Sequence, residues 1–231
     1  MTIFLGSLLS FTRMQLGPIQ KKQVEIDTKK KILGAVMDIS SLSPEEVLEL
    51  YNEKMNSIVI DVEGEEVLQD DGSKYVAEEV NIQKNYKISP DQRKYPVFMF
   101  SSDGDKVDYY IFPMFGNGLW DWISGFVALD ENLNTVVGVA FYHKAETPGL
   151  GANIKQRFFM DDFIGESLLD ADGNFRGVTV SKTNLDPKNE DKYDNEVDAI
   201  AGSTITGDGV TAMIRSDLSL YQEYFNNINS K

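Results

Sequence analysis

Tyr95-Pro-Val-Phe-Met-Phe-Ser-Ser-Asp-Gly-Asp-Lys-Val-Asp-Tyr-Tyr-Ile-Phe112 decides the fold. Two short aromatic and β-branched runs, residues 95–100 and 107–112, flank Ser102-Asp-Gly-Asp105, and an Asp-Gly pair between such runs is a hairpin signal. Working outward, residues 57–62 and 74–77 read as strands on the N-terminal side, separated by the turn chemistry of Asp70-Asp-Gly-Ser73. Residues 118–129, 135–142 and 175–181 read as strands on the C-terminal side. Asp170-Ala-Asp-Gly173 has the acidic spacing that opens a calcium loop, but no glutamate follows at the required distance, so it reads as a turn.

Helical spacing flanks these strands. Residues 17–37 place Ile19, Val24, Ile26, Ile32, Leu33, Val36 and Met37 among Lys, Gln, Glu and Asp, with Gly17 and Pro18 marking the start. Ser43-Pro-Glu-Glu46 is a capping box with Pro at N1, so a second helix opens there. Residues 153–163 predict a short helix, residues 185–197 a polar loop, and Val210, Met213, Ile214, Leu218, Tyr221 and Phe225 a C-terminal amphipathic helix from Asp208 onward. Helices at both ends and strands between them predict an α+β domain with a largely antiparallel sheet flanked by helices.

A chain of 231 residues, 42% hydrophobic, suffices for one sizeable domain. Its net charge of −15 argues against a nucleic-acid partner, because a phosphate backbone is repelled, and against adsorption to anionic lipid. The absence of Cys excludes disulfides, thiolate-held iron–sulfur clusters and a cysteine nucleophile, so redox chemistry requires an organic cofactor. A single His, His143, excludes a His-rich metal site. Residues 1–13 are apolar but end at Arg13, short of the roughly 20 residues that a spanning helix needs. They read as the tail of a truncated membrane helix or as residues appended for expression.

Three segments carry candidate chemistry. Asp198-Ala-Ile-Ala-Gly-Ser-Thr-Ile-Thr206 sets two hydroxyls, Ser203 and Thr204, after Gly202, with Thr206 and Asp208 as N-cap residue types opening a helix. It fits a loop-to-helix junction that holds a phosphorylated ligand, and equally a plain cap that binds nothing. His143-Lys-Ala-Glu-Thr-Pro-Gly-Leu-Gly-Ala152 passes from a strand into a tight turn, with Leu150 left apolar at its tip; such a loop could embrace a planar ring or be an ordinary turn. Gly118-Leu-Trp-Asp-Trp-Ile-Ser-Gly-Phe126 spaces Trp120 and Trp122 two apart, on one side of a strand, as core or as a ring-stacking wall.

In this order and spacing, Gly118-Leu-Trp120 with residues 124–129, residues 137–152 and Asp198-Ala-Ile-Ala-Gly-Ser-Thr204 resemble the FMN-binding C subunit of the bacterial sodium-translocating NADH:quinone reductase. The similarity runs from about Ile19 to the C-terminus. The Glu-Thr-Pro-Gly-Leu-Gly block is shared with the FMN-binding G subunit of the Rnf-type electron-transport complex, whereas Gly-Leu-Trp and Lys29-Lys-Lys-Ile-Leu33 favour the sodium pump.

The resemblance implies a redox relay of a membrane translocase running from NADH to ubiquinone. FMN would be joined by a phosphoester bond to the last Thr of a Ser/Thr-Gly-Ala-Thr motif by a separate flavin transferase on the extracytoplasmic side. The ungapped match makes Thr204 the acceptor; Ala201 and Ser203 depart from the motif, and Ser203 offers a second hydroxyl. Asp198 and Gly202 belong to the same attachment segment, on a loop exposed to the modifying enzyme. The flavin ring would lie against Leu150 and the turn formed by Glu146, Thr147, Gly149 and Gly151, with Leu119 or Trp120 as a wall. His143 reads as structural. The resemblance also implies an N-terminal anchor in the inner membrane, of which residues 1–16 would be the remnant, a single FMN-binding domain over residues 17–231, and partner subunits in the membrane. A non-redox extracytoplasmic binding or scaffolding module, in which Ser203 and Thr204 merely cap a helix, is the alternative from a different class.

Overall fold

A computed structural model describes residues 2–104, 106–184 and 189–230. Asp105 of the expected hairpin turn and residues 185–188 of the expected polar loop lie outside the described residues. Five strands form one antiparallel meander in the order β1 (Met55–Ile60), β2 (Tyr95–Phe100), β3 (Tyr109–Asn117), β4 (Trp122–Leu129), β5 (Val136–His143). The opening stretch is a hairpin: Phe98 pairs with Ile111 and Phe100 with Tyr109. Because side chains alternate across a sheet, Tyr110, Phe112 and Met114 enter one core and Ile111 enters the other.

The first core is closed by α5 (Thr204–Ser219), α6 (Gln222–Asn229), and Phe159 and Phe163. Phe112 meets Tyr221 and Phe225 there with ring centroids 4.8 and 5.1 Å apart. The second core lies beneath the end of α1 (Thr2–Leu33) and α2 (Pro44–Lys54). The capping box at Ser43 forms in full. Two four-residue helices, α3 (Ile82–Asn85) and α4 (Arg157–Met160), and a two-stranded parallel pair, β6 (Thr179–Val180) with β7 (Glu196–Val197), complete the α+β architecture.

Several boundaries differ from expectation for local physical reasons. Helix α1 does not start at Gly17: Pro18 lies inside it, and the bond that Pro18 cannot donate would have gone to Met14, which is exposed to water. The helix stops at Leu33 because Gly34 turns the chain, and Ala35 then presses on β5 so closely that a Cβ on Gly138 would lie 2.1 Å from its carbonyl oxygen. Residues 74–77 are not a strand: Lys74 makes one isolated bridge to Leu68, and Val76 stays exposed ahead of a 3-10 turn, Ala77–Glu79. Of residues 175–181 only Thr179–Val180 is a strand. Residues 153–163 are split by extended Gln156 into a 3-10 turn (Gly151–Lys155), α4 and a second 3-10 turn (Asp161–Phe163). The C-terminal helix begins at Thr204, four residues ahead of Asp208. Among the described residues no helix is long and apolar enough to cross a membrane. Phe11, Met14, Ile19 and Val24 are nonetheless exposed along α1.

Candidate functional site

The turn between β3 and β4 is built from Gly118-Leu-Trp-Asp121, closed by the Gly118 amide donating to the Asp121 carbonyl at 2.9 Å. This turn overturns the expectation of two tryptophans on one strand face. Trp122 begins β4 and lies 6.0 Å from the Phe115 ring, whereas Trp120 stands on the turn, 67% exposed. The Trp120 indole N–H donates to Thr147 Oγ1 at 3.1 Å, bringing the turn against the loop that follows β5.

In that loop Gly149 adopts φ +77° and Leu150 is exposed at the tip. The Leu150 and Ala152 amides donate to the Thr147 carbonyl, so these two bonds are used inside the loop. Gly202 reaches the same loop: at φ +72°, a Cβ on it would lie 3.0 Å from Leu150 Cδ2. Helix α5 then packs on the β3–β4 hairpin at contact distance, since a Cβ on Gly209 would lie 2.3 Å from the Asn117 carbonyl oxygen.

Buried Glu146 sits where these pieces meet. Its Oε1 accepts from the Trp120 amide at 3.0 Å and its Oε2 from Thr206 Oγ1 at 2.7 Å. The Glu146 amide donates to His143 Nδ1 at 3.3 Å. Burial and the Lys155 charge hold the His143 pKa below its ordinary value, with Glu146 acting in the opposite direction. His143 is thereby a neutral acceptor that holds the start of the loop.

The two candidate hydroxyls separate cleanly. Ser203 occupies the N-cap of α5, only 5% exposed, and its Oγ neither caps the helix nor has another partner among the described residues. Thr204 is exposed, as are its neighbours Gly202 and Ile205. Thr204 is therefore not on a free loop but in the first position of a helix, where main-chain N–H groups and the helix dipole favour an anion. Leu119, Trp120, Leu150 and Ile205 supply exposed apolar surface in the segments joined here. Asp198 is tied elsewhere, its amide donating to Asp162 Oδ2 at 2.8 Å. Among the described residues no cluster of acidic or His side chains could hold a metal ion.

Thr206, a cap type by residue identity, is a partner of Glu146, and Gly209 is the point of closest approach to the hairpin. The signal for Gly209 was a glycine pair, Gly207 and Gly209, inside an otherwise helical pattern. No local signal pairs residues 146 and 206.

Residues 118–219, which span the hairpin turn, the loop and α5, match the FMN-binding domain family. The chain is 30% identical to the C subunit of the Na(+)-translocating NADH-quinone reductase of Pseudomonas aeruginosa over 212 residues, 86% of this chain and 80% of that protein. It superposes on the crystal structure of the corresponding C subunit from Parabacteroides distasonis with a TM-score of 0.76 and 31% identity, covering 91% of this chain and 96% of that one. The chain belongs to the family of Na(+)-translocating NADH-quinone reductase C subunits. A further member, from Vibrio alginolyticus, is 28% identical over 88% of this chain and 80% of its own length. Within this family fold, the segment around Gly202, the Gly-Leu-Trp turn and the Pro-Gly-Leu-Gly loop are three separate stretches that the structure gathers around the first turn of α5.

Proposed function

We propose that this chain is the FMN-carrying, electron-transferring subunit of a sodium-translocating NADH:quinone reductase, with FMN joined through its phosphate to Thr204. Membership of the C-subunit family and the FMN-binding domain match support the cofactor and the complex. The observation that carries the attachment is the contrast between exposed Thr204 at the start of α5 and buried Ser203 beside it.

The residues fit the group. Thr204 presents a hydroxyl at a helix N-terminus, Gly202 leaves the approach open, and Leu119, Trp120 and Leu150 offer apolar surface for a ring, with Thr147, Gly149 and Gly151 shaping the loop beneath. Bound FMN supplies one- and two-electron redox chemistry; the protein needs no acid or base of its own for that relay. In attachment, Thr204 Oγ1 gives up its proton and forms the new bond to phosphorus. The bond that breaks must belong to an activated donor, so a flavin dinucleotide is required, its P–O–P linkage parting to release the nucleotide. A separate flavin transferase is the partner for that step, on the extracytoplasmic side, where the domain formed by residues 17–231 resides. Residues 1–16, where Phe11, Met14 and Leu16 are exposed along α1, are the part directed to the membrane and the partner subunits.

Coproduction with a flavin transferase, followed by a denaturing gel and peptide mass mapping, tests cofactor, linkage and acceptor together. Flavin fluorescence should persist on the gel and map to Thr204. Thr204→Val should abolish it, and labelling retained in that variant would transfer the role to Ser203.

A further inference from the structure

Glu146 fits a different task from flavin contact. Its side chain is buried, and both carboxylate oxygens are engaged by protein donors, the Trp120 amide and the Thr206 hydroxyl. The slot around it is closed on two sides by glycines. A Cβ on Gly118 would lie 2.5 Å from Oε1, and one on Gly151 would lie 2.3 Å from Oε2 and 2.5 Å from Thr206 Oγ1. Thr206 is in the first turn of α5, two residues past the proposed acceptor, and the N-cap residue Ser203 makes no side-chain capping bond. A carboxylate near a helix start also interacts favourably with the helix dipole. The stabilising contact that the local cap does not supply arrives from a loop 60 positions upstream.

We propose that Glu146 is a positioning residue for flavin attachment: by clamping Thr206 and the Trp120 turn to one carboxylate, it fixes the Thr204 hydroxyl relative to the surface on which the ring rests. This rests on Thr204 being the acceptor. Glu146 acts through Thr206 and Trp120, because both of its oxygens are already engaged by these protein donors. It removes the freedom of α5's first turn to rotate away from the hairpin and the loop, and such pre-orientation of a reacting group acts on the rate of the step, not on encounter.

The test compares Glu146→Ala, Glu146→Gln and Thr206→Val as acceptor proteins for a flavin transferase with the dinucleotide donor. In parallel, hydrogen exchange is followed at the Gly207 amide, which closes the first turn onto the Ser203 carbonyl, in unlabelled protein. Glu146→Ala should lower kcat for incorporation at least about tenfold with KM for the acceptor protein little changed, and should speed Gly207 exchange by a similar factor. Glu146→Gln keeps an oxygen for the Trp120 amide and an N–H for the threonine hydroxyl, so it should stay within about threefold of wild type in both measurements. Thr206→Val, which spares the Trp120 bond, should fall between. Wild-type kcat and exchange in Glu146→Ala, or a Gln variant as impaired as the Ala variant, would overturn the proposal. Wild-type protein that takes no flavin at all would overturn the attachment reading itself, a result distinct from labelled protein indifferent to residue 146.

Discussion

Two glutamates are buried under loops of this domain, and their surroundings differ. Glu146 has one donor on each oxygen, both neutral and both from segments that pack at contact distance through glycine. Glu166 is fully buried, but Asn189 Nδ2 and Lys192 Nζ both face its Oε1, at 2.9 and 3.5 Å, and Oε2 has no partner among the described residues. Burial raises the Glu166 pKa to about 7 against the opposing pull of Asn189 and Lys192. A buried carboxylate whose hydrogen bonds are complete can organise a site, whereas one left half-satisfied costs stability whenever it is charged. The difference teaches that burial alone does not make a glutamate functional; the distribution of its donors does.

The largest expected effect breaks the Glu146 side of this comparison. Gly151→Ala drives a methyl group into both the carboxylate and the Thr206 hydroxyl, neither of which can move without losing a buried hydrogen bond. A loss of about 3–4 kcal/mol in urea unfolding is expected, the range of overpacking combined with a broken buried network. Gly165→Ala, beside Glu166, has the flexible Lys192 side chain as its nearest neighbour, with 3.4 Å to its Cγ, so its cost is the strain of φ +92°, about 1–2 kcal/mol. If Gly165→Ala were the costlier of the two, the contrast between a rigid and a yielding surround would be wrong.

A second prediction sharpens the Glu166 side through pH. In the unfolded chain a glutamate titrates near 4.3, so between that value and about 7 the folded state holds a proton that the unfolded state has released. Stability therefore falls as pH rises through this window, by up to roughly 3–4 kcal/mol. Asp217 acts in the same direction. It is buried, its pKa is raised by burial to about 8, and the Phe115 amide donating to it at 2.5 Å pulls the other way. Glu166→Gln should leave stability at pH 4 nearly unchanged and raise it at pH 8, because the amide cannot ionise. Paired urea titrations at the two pH values check this, and a Gln variant that follows the wild-type pH dependence would reassign the effect to Asp217.

The same contrast marks what could be read in the sequence. The sheet was legible because alternation and Asp-Gly turns are local: strands β2 and β5 lie where residues 95–100 and 135–142 had placed them, within one residue, and the Ser43 capping box formed as written. The short irregular segments were not, since Gln156 and the exposed Val76 break patterns whose outcome depends on what packs against them. In the site, Leu150, Trp120 and Thr204 could be nominated from residue types and family likeness. Their arrangement could not, because the bond from Thr206 to Glu146 links residues 60 apart and the role of Gly209 depends on a carbonyl in a distant hairpin. The role of Asp217 is illegible in sequence for a related reason. Strand β3 pairs with β2 only from Tyr109 to Ile111, and the Phe115 amide beyond that stretch turns to a side chain from α5.

The smallest expected effect concerns the second hydroxyl. If Ser203 were the acceptor, or a genuine cap, Ser203→Ala would lose labelling or destabilise α5 by the roughly 1 kcal/mol that removal of a working N-cap costs. The structure shows no capping bond for it, and its burial speaks against the acceptor role: Ser203 lies at the helix start with an Oγ that makes no hydrogen bond among the described residues. Removing an unpaired buried hydroxyl relieves a desolvation cost and leaves only a small void, so the effect of Ser203→Ala on stability should lie between a loss of about 0.5 kcal/mol and a gain of about 1 kcal/mol. Flavin incorporation at Thr204 should proceed at the wild-type rate. Thermal unfolding and peptide mass mapping of the same preparation separate the outcomes. A variant that unfolds earlier shows that the hydroxyl finds a partner in solution, and one that unfolds as before but takes no flavin makes Ser203 part of the attachment chemistry.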